Sequence, residues 1–354
     1  SVADPVRITL TVHDPASPGG APPGSSTEVP ILVLQPGQRI QGRVSVDVLK
    51  DVEFREFQIR FFWYTEGKGN RVTGEGRTEA LARDGKWISG TSHGYSFEMT
   101  APWGPLSYGG KILKVLWMLE ARLDQSLLKP DVTERIPVLI HGTPDPDQAS
   151  LGPVPQEREK LEAVKKGRVR TWVAVGTVFL IMGLFYGAAN GWELRMPGRI
   201  TTFLLMAGGL LISLKGLWGR LGRGKLGEPS VALNTTEVRR GEGIRFSVSV
   251  RPEQKTELRS LEVILECEER VVHGHGQYQS RHKRTVFEQR LTLAEDVVIE
   301  PHKGFNKKGS IVLPEDAAPS FGAPHNQVSW WLRFRGDIVG WPDWQEPFLL
   351  TVWP

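Results

Sequence analysis

Apolar and polar residues alternate along two separated stretches of the chain. In residues 36–46, PGQRIQGRVSV, the apolar side chains fall on one face of an extended segment, and residues 240–250, RGEGIRFSVSV, repeat that pattern. A period of two is typical of a strand that buries one face and exposes the other. The pattern therefore predicts β-strands in both halves of the chain.

Further segments of the two halves match in the same order. EFREFQI (53–59) aligns with ELRSLEV (257–263), and a block ending at Asp124 aligns with a block ending at Asp337. Within the second match the aligned pairs are Ser107 and Ser320, Tyr108 and Phe321, Trp117 and Trp330, Leu119 and Leu332, and Arg122 and Arg335. Three ordered matches predict two copies of one antiparallel β-sandwich.

Two apolar runs separate the predicted sandwiches, at 171–189 and 200–218. The first has 19 residues without a charge and nearly matches the roughly 30 Å of a hydrocarbon core. A buried helix of a soluble protein is the alternative reading of such a run. A transmembrane helical hairpin is the prediction, with Trp172, Trp192, Lys215 and Trp218 as anchors at the membrane surface.

Small residues and flanking charges refine this predicted hairpin. Gly183 and Gly187 form a G-x-x-x-G pair, with Gly208 and Gly209 on the second run, and packing within the hairpin is favoured over oligomerisation. Basic residues flank both outer ends of the hairpin, which predicts that both sandwiches lie on the cytoplasmic side of a plasma or inner membrane.

These patterns divide the chain into four parts. We expect a first sandwich at 1–142, a linker with a charged helix at 143–170, the hairpin at 171–218 and a second sandwich at 219–354. The net charge of +4 gives no case for nucleic acid as a partner, and the single cysteine excludes an intrachain disulfide. The N-terminal residues show no signal-peptide pattern. Expected partners are the lipid bilayer, other proteins and a second copy of the chain.

The ordered motifs resemble the arrestin fold. A G-x-x-I-x-G-x-V-x-V strand precedes EFREFQIRF, and a P-x-S-Y/F-x-G turn then leads into a W-x-L-x-A-R-L-D strand. The arrestin clan also includes Vps26 and Spo0M. The resemblance implies a mainly β protein, with two arrestin-like antiparallel β-sandwich domains on either side of the hairpin. It also implies an adaptor that recruits proteins through sheet edges and faces.

A histidine cluster is the main candidate for chemistry. His273 and His275 are spaced to share one face of a strand, and His282 could meet them across a hairpin, which would suit a metal ion. A solvated hairpin tip is the simpler interpretation. We find no catalytic constellation and no cofactor motif, and Trp341 and Trp344 are candidate interface residues.

Three functions remain open from the sequence. The first is a membrane-anchored cytoplasmic adaptor or scaffold, as an accessory subunit of a larger membrane complex. The second is an envelope-facing sandwich that binds carbohydrate or another envelope component. The third is a metal-dependent enzyme or sensor at the histidine cluster.

Overall fold

The computed structural model describes residues 4–13, 31–125, 129–145, 147–153, 177–186, 188, 201–210 and 223–354. Eighteen strands account for most of these residues. They are β1 (Val6–His13), β2 (Leu32–Leu34), β3 (Arg39–Val48), β4 (Val52–Gly67), β5 (Thr73–Trp87), β6 (Ser92–Thr100), β7 (Tyr108–Gly109), β8 (Leu113–Asp124), β9 (Val132–Ile140), β10 (Ser230–Leu233), β11 (Glu237–Arg239), β12 (Gly243–Val250), β13 (Thr256–His273), β14 (Ser280–Ile299), β15 (Phe305–Val312), β16 (Phe321–Ala323), β17 (Asn326–Ile338) and β18 (Trp344–Trp353). A 3₁₀ turn at Gly276–Tyr278 connects β13 to β14.

The strands form two pairs of sheets with the same order in each half. In the first half β1-β3-β6 faces β2-β9-β8-β4-β5, and in the second half β10-β12-β15 faces β11-β18-β17-β13-β14. The short strands β7 and β16 pair with β8 and β17. The predicted mainly β class with two sandwich-like pairs of sheets is confirmed.

Period-two burial builds both cores, as the sequence pattern predicts. On β3, Ile40, Val44 and Val46 are at most 1% exposed, while the residues between them face outward. On β12, Ile244 and Val248 are buried in the same way. Burying one apolar face of each sheet against the other supplies the main drive for folding.

Residues that align in the sequence make the same hydrogen bonds in the two halves. Trp117 Nε1 donates to Pro105 O at 2.7 Å, and Trp330 Nε1 donates to Ala318 O at 2.7 Å. Two further matched pairs of bonds are Arg122 to Asp131 with Arg335 to Asp343, and Ile140 N to Ser107 Oγ with Val352 N to Ser320 Oγ. The tryptophan and serine bonds fix the turn before β8 and β17, and the arginine bonds fix the connection after each strand.

The predicted transmembrane hairpin is wrong. Helical structure in that region is described at 177–186, 188 and 201–210. Within the described ranges, no helix combines the length and apolar character that a membrane crossing requires. The assignments as a transmembrane protein and as a two-span integral membrane protein are therefore wrong as well, because uncharged length alone does not establish a helix that can cross a membrane.

Several residues tied to that hairpin lie outside the described ranges. They are Trp172, Trp192, Lys215, Trp218 and Gly187, together with the charged helix expected at 157–170. Gly183 is described and lies against the second helical segment, where an added Cβ would come within 2.7 Å of Met206 Cγ. Gly209 is buried, whereas Gly208 has open space around its Cα.

We expect Trp117→Phe and Trp330→Phe to lower the free energy of unfolding by about 1–3 kcal/mol each. Each change removes a donor to a carbonyl in the turn before its strand. Thermal unfolding followed by circular dichroism measures the loss, and Trp341→Phe is the control because Trp341 is 43% exposed. Equal melting temperatures for Trp330→Phe and Trp341→Phe would contradict the structural role of the bond.

Candidate functional site

A buried carboxylate joins the two sandwiches. Glu269 on β13 is fully buried, and it accepts hydrogen bonds from Tyr108 Oη at 2.6 Å, Lys111 N at 2.9 Å and Ile112 N at 2.7 Å. All three donors belong to the first sandwich. Burying an ionised carboxylate is costly unless several donors surround it, so this contact requires the two halves to meet at one place.

Tyr108 is suited to this donor role. Burial raises the pKa of Tyr108, and the hydrogen bond to Glu269 raises it further. The phenol therefore keeps its proton and donates throughout the physiological pH range. Gly110 makes the approach possible, because an added Cβ there would lie on top of Glu269 Oε1.

Reciprocal contacts of Asn70 extend the junction. Its side chain donates from Nδ2 to Gly274 O at 3.0 Å and accepts at Oδ1 from Gly274 N at 3.0 Å. Asn70 and Gly274 are 204 residues apart, and the same offset relates the aligned segments 53–59 and 257–263. Equivalent loops of the two halves therefore meet. Asn326 Nδ2 adds bonds to Asn70 O at 2.7 Å and Thr65 Oγ1 at 3.1 Å.

A cleft of about 320 Å³ opens beside this junction, between β13, β14 and β17. We call it the basic cleft. Its lining residues are Arg270, Val271, Val272, Arg281, His282, Lys283, His325 and Gln327. No residue of this lining is acidic. The cleft follows Glu269 directly along β13, so the junction fixes its position.

Two buried carboxylates on β13 neutralise part of the positive charge of the basic cleft. Glu268 is fully buried and accepts from Arg270 Nη2 at 2.8 Å, from Arg333 Nη2 at 2.9 Å and from Lys283. Glu266 accepts from Arg333. Arg281 makes no ion pair with any residue in the described ranges, so the cleft keeps uncompensated positive charge.

The pKa values of the two carboxylates shift in opposite directions. Burial alone would raise the pKa of Glu268, but hydrogen bonds from Lys283 and Arg270 outweigh it and hold that pKa below the ordinary value. Burial raises the pKa of Glu266, only partly opposed by its hydrogen bond from Arg333. The surroundings of Glu268 therefore favour the ionised form more strongly than those of Glu266.

The matching face of the first sandwich also has a buried acid bonded by basic residues, but the acid lies on a different strand. There the buried acid is Glu120 on β8, and the bases are Arg60 at 2.8 Å and Arg135 at 2.5 Å. Both guanidinium groups lie over the Phe62 ring, at 5.1 and 5.7 Å. In the second sandwich Arg270 and Arg333 lie over Trp331, at 5.2 and 5.0 Å. Both faces therefore combine a buried acid with two arginines over an aromatic ring, but the acidic and basic residues lie on different strands.

The predicted metal ligands lie near the basic cleft without forming a metal site. His273 ends β13 opposite Ser280, and His282 lies opposite Val271. His275 contacts His325, with ring centroids 6.4 Å apart. Among residues whose positions the structure describes, no three His, Cys, Asp or Glu side chains are grouped to hold a metal ion.

The two predicted interface tryptophans have different positions. Trp344 is 1% exposed and belongs to the core of the second sandwich. Trp341 is 43% exposed, with Lys225 Nζ 5.1 Å from the centre of its ring. Only Trp341 remains at the surface as a candidate for protein contact.

The sequence interpretation missed Glu269 and its partners. One signal was present, because Glu269 continues the inward phase of Leu261, Val263, Leu265 and Cys267. A carboxylate on the buried face of a strand requires partners. Those partners come from 157 to 161 residues away, and two of them are backbone groups, so the pattern alone does not identify them.

Comparisons with known proteins assign this chain to no family. No family model matches this chain, and no curated protein matches it. One solved structure that matches is described as Spo0M, a sporulation control protein from Bacillus subtilis. The identity is 20%, the TM-score is 0.29, and the match covers 36% of this chain and 49% of that chain.

This chain therefore spans about half the length of the solved structure that it matches. Spo0M is also named among the proteins that the sequence motifs resemble. With a TM-score of 0.29 the match carries no argument, and function has to be argued from the contacts of this chain.

We expect Tyr108→Phe to destabilise the junction by about 1.5–3 kcal/mol, because Glu269 loses a donor to a charged group. Hydrogen exchange at the amides of Lys111 and Ile112 should become faster, while exchange on β3 stays unchanged. Tyr278→Phe is the matched control, since Tyr278 is 82% exposed. Unchanged exchange at both amides would show that the phenol does not hold the two halves together.

The pKa shifts of Glu268 and Glu266 predict opposite effects of pH on stability. A lowered carboxyl pKa stabilises the fold above the ordinary Glu value, and that stability is lost as pH falls through the folded-state pKa. A raised pKa stabilises the fold at low pH, and that stability is lost as pH rises through it.

At pH 7 Glu268→Gln should therefore cost about 1.5–3 kcal/mol, because Arg270, Arg333 and Lys283 lose the charged acceptor of their hydrogen bonds. Glu266→Gln should cost less, and its cost should shrink further as pH rises. Urea unfolding of both variants between pH 3 and pH 8 measures this. A larger loss for Glu266→Gln at pH 7 would contradict the opposite directions of the two pKa shifts.

Proposed function

We propose that this chain is an adaptor or scaffold that recruits a protein partner to the basic cleft, through acidic side chains of that partner. The observation that carries the proposal is the charge of the cleft. Its lining holds Arg270, Arg281 and Lys283 but no acidic residue, and Arg281 has no ion-pair partner among the described residues. A carboxylate of a partner would supply the missing charge.

The shape and position of the site favour a protein segment as the ligand. The cleft is open and lies on a sheet face beside the β14 edge, where an extended segment can lie along the strands. Planar guanidinium groups of arginine bind carboxylates in a bidentate way. The Gln327 and His325 side chains add neutral hydrogen-bonding groups that can orient the bound segment.

The junction supports a scaffolding role. Glu269 and Asn70 hold the sandwiches together through buried and partly buried hydrogen bonds, so sheet edges and faces of both halves keep fixed positions. A partner bound at the basic cleft is thereby placed at a set distance from anything bound to the first sandwich. Fixed placement raises the effective concentration of one partner for the other.

Peptide binding tests this function on the full chain. We expect a peptide rich in Asp and Glu to bind more tightly than the same peptide with Asn and Gln, and added salt should weaken the binding. Arg281→Glu should reduce the affinity for the acidic peptide about tenfold or more. Arg77→Glu is the matched control, because Arg77 is an exposed arginine on β5 of the first sandwich.

Cross-linking in cells tests the adaptor role directly. A photoreactive residue at Gln327 should capture a discrete protein, and Arg281→Glu should abolish that product. The same residue at Thr78 on β5 serves as the control position. Equal affinity for the acidic and neutral peptides, together with a cross-linked product that survives Arg281→Glu, would contradict the proposal.

A further inference from the structure

The free edge of the second large sheet is long. β14 has 20 residues and pairs with β13 along its length, and no described strand pairs with its other edge. β14 is not short and contains no proline, but it carries charged side chains and two register shifts, which restrict a second strand to one that matches its charges. Its exposed backbone groups are therefore available to another strand.

Charge along this edge changes sign from one end to the other. His282 and Lys283 stand near its beginning, and Glu295 and Asp296 stand near its end. Between them, Glu288 and Arg290 face the same side and bond to each other at 2.7 Å. Neither Glu295 nor Asp296 makes an ion pair with a residue of the described ranges.

This order of charges is complementary to itself when a second copy runs antiparallel. With Gln289 of both copies on the two-fold axis, Glu288 of each copy faces Arg290 of the other. In the same register Lys283 faces Glu295, and His282 faces Asp296. Opposite charges across a strand pair stabilise it, and like charges destabilise it.

The side-chain directions along β14 are also compatible with this register. Lys283 lies opposite Arg270 on β13, and Glu295 lies opposite Ser260, so both occupy the outer side of the sheet. Glu288 lies opposite Glu266 on that side as well. Register shifts on either side of Gln289 keep these residues in phase. The two side chains of each pair therefore project from the same face of the sheet, as an antiparallel ladder requires.

We propose that β14 is a dimerisation edge, which pairs antiparallel with β14 of a second copy in the register centred on Gln289. The two large sheets of the second sandwiches then form one continuous sheet across a two-fold axis. The Arg281 side chain faces Val297 of the second copy in this register. Lys283 and His282 of the basic cleft face acidic residues of the second copy, whereas Arg281 stays without an acidic partner in the dimer.

Oligomeric state and a symmetric cross-link test the inference on the full chain. Sedimentation should show a dimer. Under mild oxidation, Gln289→Cys should form an intermolecular disulfide, because position 289 meets itself across the axis. The native Cys267 does not interfere, since it is buried. Thr78→Cys on the exposed edge strand β5 is the matched control and should remain monomeric on a non-reducing gel.

Charge reversal decides the register. Glu288→Arg and Arg290→Glu should each weaken the dimer about tenfold or more, because each places like charges opposite one another. The double variant E288R/R290E should restore the dimer, since both cross-axis pairs become opposite in charge again. Circular dichroism confirms that each variant is folded.

Each outcome is decisive. A monomeric wild-type chain at every concentration overturns the inference, and so does a dimer that neither forms the 289 disulfide nor responds to the charge reversals. Rescue by the double variant together with the disulfide establishes the interface. The acidic-peptide test at Arg281 reads a different residue, so failure of the dimer and failure of the proposed function are distinguishable.

Discussion

The carboxylate of Glu269 is the contact on which the arrangement of this molecule depends. A buried carboxylate without donors would be strongly destabilising, and the amides of Lys111 and Ile112 would lose a partner in the absence of Glu269. Each sandwich therefore leaves polar groups that only the other satisfies. That mutual need, rather than apolar contact alone, determines where the halves meet.

The position of the basic cleft follows from this contact through the strand itself. Arg270 and Val272 come directly after Glu269 on β13, so fixing the carboxylate fixes the floor of the cleft. The turn after β13 is held at the same place, because Gly274 is bonded to Asn70. β14 begins a few residues later, so the start of the free edge is positioned by the junction as well.

Sequence patterns predicted the elements better than their associations. Alternation identified β3 and β12, because each strand buries every second residue, and the aligned Trp117 and Trp330 make matching bonds. The prediction for 171–218 was wrong, since uncharged length alone does not establish a helix that can cross a membrane. The Glu269 contact and the order of strands depend on residues far apart in the chain, which a local pattern does not contain.

The two halves differ mainly outside their cores, and these differences give the two sandwiches different roles. Thr65 stands at the place of Glu269, and Phe321 at that of Tyr108, so only one of two equivalent positions carries the charged contact. On the outer faces the buried acid has moved from the central strand to β13. A core tolerates few changes because its packing is dense. A repeated sandwich can therefore gain a new function mainly through its junction, outer face and edge, which are the places where the second half of this chain departs from the first.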